Sequence, residues 1–148
     1  MIDEITLTTE AHPSPDTVQF LRASLDEFNF AQVGPDNEWP FAVIARDRSQ
    51  NIRAGLYGKS YWKWLYVEFL WISEQHRRSG LGSCLLRRGE AVASERGCIG
   101  VWLNTISFQA PGFYERHGYR QFGRLDEMPP GHTRIWLAKL LEPVPAHG

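Results

Sequence analysis

The chain has only two cysteines, Cys84 and Cys98, among 148 residues, and neither stands at metal-ligand spacing from a histidine or from the other cysteine. Two isolated thiols build neither a disulfide framework nor a zinc site, so both read as small reduced side chains and no metal is expected. No apolar run approaches the length of about 18 residues that a membrane span needs. The opening Met1-Ile2-Asp3-Glu4 is acidic where a signal peptide requires an apolar core. Neither sign of charge dominates: 16 lysines and arginines face 17 acids, a net charge of −1. That balance gives no field to attract nucleic acid or an anionic membrane, and neither is expected as a partner. Repeats, low-complexity tracts and linkers are also lacking. The expectation is a cytoplasmic protein with one domain over 1–148, long enough to bury about 70 per cent of its unfolded surface.

What the chain does have is Arg77-Arg78-Ser79-Gly80-Leu81-Gly82, placed between an apolar segment, Trp64 to Ile72, and a helical pattern running from Gly80 to Arg96. A helix start leaves backbone N–H groups unpaired and carries about half a positive charge, so glycines that let a ligand approach there make a seat for an anion. The two arginines add charge-assisted contacts. The stretch lacks the terminal Lys-Ser/Thr of a P-loop and the third glycine of a dinucleotide fingerprint, which argues against nucleotide hydrolysis and hydride transfer.

Around this loop the pattern alternates strands and helices. Ile5 to Thr8 reads as a first strand. Ser14-Pro15-Asp16 opens a helix to about Asn29, with Val18, Leu21, Leu25 and Phe28 as its buried stripe. Phe41 to Ala45 and Ile52 to Tyr57 form a hairpin pair, and Trp64 to Ile72 is the central strand. After the long helix, whose apolar face carries Leu81, Leu85, Val92 and Ala93, come a strand at Val101 to Asn104 and a short helix at Gln109 to His117. Two last strands follow, Tyr119 to Leu125 and Arg134 to Leu140.

Two stretches together resemble one known family. Arg77-x-x-Gly80-x-Gly82 resembles the pyrophosphate loop of the GCN5-related N-acetyltransferases, the GNAT superfamily. Asn104 to Ala110 followed by Phe113-Tyr114-Glu115-Arg116-His117-Gly118-Tyr119 is similar to that family's second signature. The resemblance covers about residues 64 to 122. It implies an α/β (α+β) GNAT fold: a mixed sheet of six to seven strands, splayed at the central strand, with about four helices. The second of these helices is short and would lie within residues 31 to 38. It also implies an acetyl-CoA-dependent N-acetyltransferase acting on a primary amine by direct attack in a ternary complex.

By motif position, the resemblance assigns coenzyme contacts to Leu70, Trp71 and Ile72 of the central strand, with the Leu70 N–H aimed at the acetyl carbonyl. It assigns further contacts to Arg77, Arg78, Ser79, Gly80, Leu81, Gly82 and Ser83 of the loop and helix start, and to Asn104. For Asn104 an Asx-turn role is the other reading. Tyr114 falls at the position of the family's general acid for the leaving thiolate, its other reading being a core aromatic. Glu68 is the one acid inside the central strand; two residues before Leu70, it shares a face with it and is a candidate base, or else a partner for Arg53 or Lys63. His132 is a further candidate base; His76, beside the anion loop, and His117, near a helix end, read as structural.

The acceptor is expected to be a small-molecule amine. Trp39, Trp62 and Trp64 with Phe28 and Phe30 offer cation–π contacts to it, and Asp26, Glu27 and Asp36 offer charge; an aromatic core or a dimer interface explains the same residues. An acyl-CoA-binding module with little turnover, a protein N-terminal or lysine acetyltransferase, and a non-enzymatic interaction protein are the alternatives. The resemblance and the high aromatic count also make a homodimer an expectation, and a monomer would leave the mechanism unchanged.

Overall fold

The computed structural model of the chain describes residues 4–143, and the chain divides into two units, Met1–Asp36 and Asn37–Gly148. Among the described residues of the first unit the one regular element is α1, Pro15–Val33. It starts as its sequence signals, with the Ser14 hydroxyl accepting from the Thr17 N–H (3.2 Å) and proline in the first turn. It runs past the expected end at Asn29 and stops at Gly34, whose φ of 88° and N–H bond to the Phe30 carbonyl (2.8 Å) close it. The expected buried stripe is exposed instead: Leu21, Leu25 and Phe28 are 60–64% accessible. Helical periodicity marks an apolar face, but burial needs a second element, and α1 has none in its own unit.

Two other expectations fail for related reasons. Ile5 to Thr8 forms no strand, and Ile5 and Leu7 are exposed, because alternation supplies a face but not the partner whose ladder makes a strand. No short helix lies within 31–38, since α1 takes residues up to Val33 and 34–38 are irregular. The described residues therefore hold three α-helices, not four.

The second unit is a six-stranded sheet made of β1 (Trp39–Arg46), β2 (Ile52–Tyr61), β3 (Trp64–Ile72), β4 (Gly100–Ile106), β5 (Arg120–Asp126) and β6 (Thr133–Leu140), in the order β1-β2-β3-β4-β6-β5. All pairings are antiparallel except β3 with β4. Between these two parallel strands runs α2 (Leu81–Glu95), the crossover that parallel neighbours require, and α3 (Pro111–Arg116) follows β4.

The core lies on the sheet face that α2 covers. Leu56, Leu65, Leu86, Val101, Leu103 and Leu137 are fully buried there. The helix approaches closely because two buried positions on its inner face are glycines. A side chain at Gly89 would meet Leu56 at 3.1 Å, and one at Gly82 would meet Ile72 at 2.8 Å. Sequence periodicity picks out the bulky members of this face and passes over its glycines, which set the distance.

Strand β3 contains one residue more than β2 can pair. Val67 is opposite Gly58 and Phe69 opposite Tyr57, which leaves Glu68 as the extra residue of a β-bulge. Gly58 is fitted to it: a Cβ there would run into the Tyr66 carbonyl oxygen and stand 3.2 Å from Leu65. The bulge shifts the alternation of the strand. Leu65 and Val67 are buried before it, and Leu70 and Ile72 pack on the core after it. Glu68 therefore does not share a face with Leu70, contrary to the simple two-residue period.

Two glycines are expected to respond in opposite directions to alanine. Gly58→Ala should destabilise, since backbone must move to admit the methyl, whereas Gly112→Ala, in α3 with only the Arg116 side-chain end nearby, should stabilise by about 0.5–1 kcal/mol. Leu56→Ala is expected to lose about 2–5 kcal/mol. Urea denaturation of the three variants measures all of these.

Candidate active site

Parallel pairing between β3 and β4 is short. It joins Trp64 to Gly100, Leu65 to Val101 and Tyr66 to Trp102, and then stops, although both strands continue to Ile72 and Ile106. Beyond Tyr66 the strands diverge, and a cleft of about 1140 Å³ opens at their C-terminal ends.

Register decides which amides face that gap. The Ser73 N–H bonds to the Arg53 carbonyl (2.8 Å). Hydrogen-bonded pairs alternate along an antiparallel ladder, so Trp71 and Phe69 also turn their main-chain groups toward β2. Leu70 and Ile72 turn theirs the other way, into the cleft. Consistently, the Ile72 carbonyl accepts from Arg77 Nε (3.2 Å) rather than from the sheet. Before the bulge the odd residues face β4, as the Lys63 carbonyl does in accepting from the Ile99 N–H (2.8 Å). The extra residue at Glu68 exchanges the two sets. Trp71 also lines the cleft, while its amide belongs to the β2 ladder.

The other end of the cleft is the start of α2. Arg78 and Gly80 both take positive φ (64° and 84°), which turns the chain abruptly into the helix. The first bond of that helix runs from the Cys84 N–H to the Gly80 carbonyl (3.2 Å), leaving the amides of Leu81, Gly82 and Ser83 without an acceptor inside the helix. Arg77, Arg78 and Arg116 line the cleft beside them. A ligand with clustered negative charge fits such an end, where dipole, open amides and guanidinium groups add together. Position 82 admits no side chain without rearrangement, since a Cβ there would stand 2.8 Å from Ile72 and 3.4 Å from Phe113. Ser79 and Leu81 stand back from the lining, the first donating to the His76 carbonyl (2.5 Å) and the second packing on the core.

Tyr114 reaches the same cleft from α3, with its ring edge-on to Phe113 (5.1 Å) and Tyr119 (5.9 Å). Burial pushes its phenol up to about 12, so it holds its proton at every physiological pH. Asn104 also lines the cleft, and its side-chain carbonyl accepts from Arg134 Nη1 (2.7 Å). Glu68 lies exposed on the wall, and among the described residues it forms no ion pair. Arg53, one of its two expected partners, is bonded to Asp47 (2.8 Å).

The three candidate histidines fall outside the lining. The His76 ring bonds the Ser73 hydroxyl (2.7 Å), and His117 Nε2 bonds the Ser83 hydroxyl (2.8 Å). His132 stands edge-on to Phe108 (4.8 Å) at the cleft margin. Of the proposed aromatic wall, Trp39 carries the Arg96 guanidinium over its ring (3.9 Å), Trp64 packs on Gly100, and neither these nor Trp62 lines the cleft. Sequence reasoning missed Arg116 and Phe108, both inside the second motif, and Arg134, which sits on a different strand from Asn104 and carries no motif of its own.

Comparison with known proteins agrees with this geometry. The profile of the Acetyltransferase (GNAT) family matches residues 5–119. A blasticidin-S acetyltransferase of Streptomyces morookaense is 44% identical over 102 residues, 68% of this chain and 75% of that protein. An acetyltransferase of Agrobacterium fabrum is 31% identical over 119 residues, 80% of this chain and 87% of its own length. Among solved structures, an acetyltransferase from Agrobacterium tumefaciens superposes with a TM-score of 0.86 at 27% identity, over 93% of this chain and all of that one. One from Bacillus cereus gives 0.83 at 28%, over 90% and 98%.

The Ser83–His117 contact joins the start of α2 to the end of α3, and the loss of water around the imidazole makes stability pH-dependent. Desolvation, the largest influence, holds the imidazole below its ordinary value of 6.5, so the folded chain takes up this proton less readily than the unfolded one. The contribution is therefore complete above that value and is lost as pH falls through and below it. Melting curves from about pH 8 to about pH 5.5 should show a smaller acid loss in His117→Gln than in the wild type. A second expectation concerns the helix start: Arg77→Ala combined with Arg78→Ala, both exposed positions on the cleft, should weaken acetyl-CoA binding about ten-fold or more by calorimetry, while the fold remains intact by circular dichroism.

Proposed function

The chain belongs to the GNAT family of acetyltransferases, and from that premise we propose that it transfers the acetyl group of acetyl-CoA to the primary amine of a small molecule, both substrates being bound at once. The observation that carries this reading is the pair of free amides, Leu70 and Ile72, facing a cleft that ends on the α2 start and its arginines. Bound acetyl-CoA supplies an acetyl group activated as a thioester. The N–H groups of Leu81, Gly82 and Ser83, with Arg77 and Arg78, hold the pyrophosphate end. The main-chain groups of Leu70 and Ile72 hold the amide-bearing arm; the Asn104 side chain is taken up by Arg134 instead.

Each reacting atom then meets one group of the chain. The Leu70 N–H donates to the carbonyl oxygen on which negative charge grows, a donor already oriented because its own strand leaves it unpaired. The Glu68 carboxylate takes the proton that the amine gives up, directly or through a water. The Tyr114 hydroxyl donates a hydrogen bond to sulfur. A phenol raised to about 12 gives its proton up reluctantly to a thiolate, so Tyr114 stabilises the leaving sulfur by holding its proton toward it. Cys84 and Cys98 are not in the cleft lining, which favours direct attack over transfer through a protein thiol. The name of the 44% identical relative, a blasticidin-S acetyltransferase, supports a small-molecule acceptor.

Thiol release on mixing the protein with acetyl-CoA and a panel of small amines tests the proposal. Tyr114→Phe is expected to lower kcat about ten- to hundred-fold and leave the KM for acetyl-CoA within about two-fold; Glu68→Gln should lower kcat most at neutral pH and recover as pH rises and the amine deprotonates itself. Thiol release that is absent with every small amine but present with peptides would overturn the small-molecule acceptor.

A further inference from the structure

Side chains of β6 alternate between the two faces of the sheet. Ile135 and Leu137 lie in the core, and Arg134 and Trp136 point to the opposite face. Arg134 stands where β3 and β4 have already parted, opposite Ile106 on β4 and Leu125 on β5. It is half-buried and stands outside the cleft lining, joined to it by the bond from Nη1 to Oδ1 of Asn104 (2.7 Å), which is a lining residue.

Its charge is not compensated. Nε is buried and has no acceptor, and among the described residues no carboxylate forms an ion pair with the guanidinium. The acids near it by register are committed elsewhere. Asp126 accepts from Arg124 Nη2 (2.7 Å) and from the Thr133 hydroxyl (3.1 Å), and Glu127 accepts from the Gly131 N–H (3.1 Å). Asn104 offers a dipole but no charge. A guanidinium drawn partly out of water without a counter-ion is an unfavourable arrangement, which an anion would relieve.

That anion is not the coenzyme's. The pyrophosphate end lies at the start of α2, on the core face of the sheet, while Arg134 projects from the other face, so what it meets comes from the acceptor side. We propose that Arg134, steadied by Asn104, recognises a carboxylate carried by the amine acceptor, so that the enzyme's substrates are amines that also bear a carboxylate. This deepens the acetyltransferase reading above and rests on it. Nη2 and the second Nη1 proton provide donors in one plane, which is the geometry a carboxylate accepts in two-point fashion. Glu68 and Arg134 then give the acceptor site two poles, one for the amine and one for the acid.

The test compares amines that differ only by the acid group: δ-aminovalerate against n-pentylamine, and lysine against cadaverine. Each is titrated calorimetrically into protein saturated with CoA, so that no turnover occurs. The wild type is expected to bind the carboxylated member about ten-fold more tightly or better. Arg134→Gln should remove that difference while leaving acetyl-CoA affinity unchanged. Asn104→Asp retains the arginine but gives it an internal counter-ion, and should remove the preference as well; thermal melting confirms that both variants are folded. Equal affinities within the pairs for the wild type, or a preference that survives in both variants, would overturn the assignment. Thiol release is recorded separately with acetyl-CoA. Transfer to both members of a pair alike retires the role of Arg134 and keeps the acetyltransferase, whereas failure to bind acetyl-CoA at all retires the acetyltransferase.

Discussion

A single extra residue in β3 is the constraint on which the site depends. Glu68 is opposite no residue of β2, and the strand beyond it exchanges the set of amides bonded to the sheet for the set that is not. Without the bulge, Leu70 and Ile72 would direct their main-chain groups toward β2 and their side chains to the outer face. With it, their side chains stay in the core and their amides face a gap that β4 does not fill. Unpaired backbone in a sheet is normally a liability, because each open N–H and C=O seeks a partner. Here it is a short extended edge held open inside the molecule, ready for a ligand that carries amides of its own.

The gap also divides the chemistry between the two faces of the sheet. On the core face, α2 brings its first turn close to Ile72 and Phe113 because position 82 is glycine, so the anion end and the strand edge belong to one cleft. On the other face stand Glu68, Asn104 and Arg134, with charges and hydrogen-bonding groups that an acceptor could use. The divergence of β3 from β4 is the passage between them. Tyr114, half-buried and packed edge-on to Phe113 and Tyr119, closes the core side with a hydroxyl that keeps its proton.

Much of this was legible in the residues because it depends on local pattern. Trp64 to Ile72 is a continuous apolar run with a loop of arginine, serine and glycine after it, and both strand and helix form there. The order of elements after Trp39 follows in the same way. The failures share a physical cause: each needed a partner that sequence periodicity does not name. Ile5 to Thr8 alternates correctly but has no ladder, the α1 stripe is periodic but has no second element in its own unit, and Glu68 takes the wrong face because a bulge is a relation between two strands. Gly58, which accommodates the bulge, looks in the sequence like an ordinary weak spot in a strand. Arg134 was invisible for the same reason, its meaning arising only from a bond across strands to Asn104 and from the carboxylate that is not there.

The central claim, that the bulge frees the amides of Leu70 and Ile72 for the coenzyme, is most directly tested by residue-resolved amide hydrogen exchange with and without acetyl-CoA. The account predicts rapid exchange at Leu70 and Ile72 in the free protein and strong slowing when acetyl-CoA is added, with Trp71 slow in both states. Slow exchange at Leu70 and Ile72 in the free protein, or rates there that acetyl-CoA leaves unchanged while it binds, would contradict it.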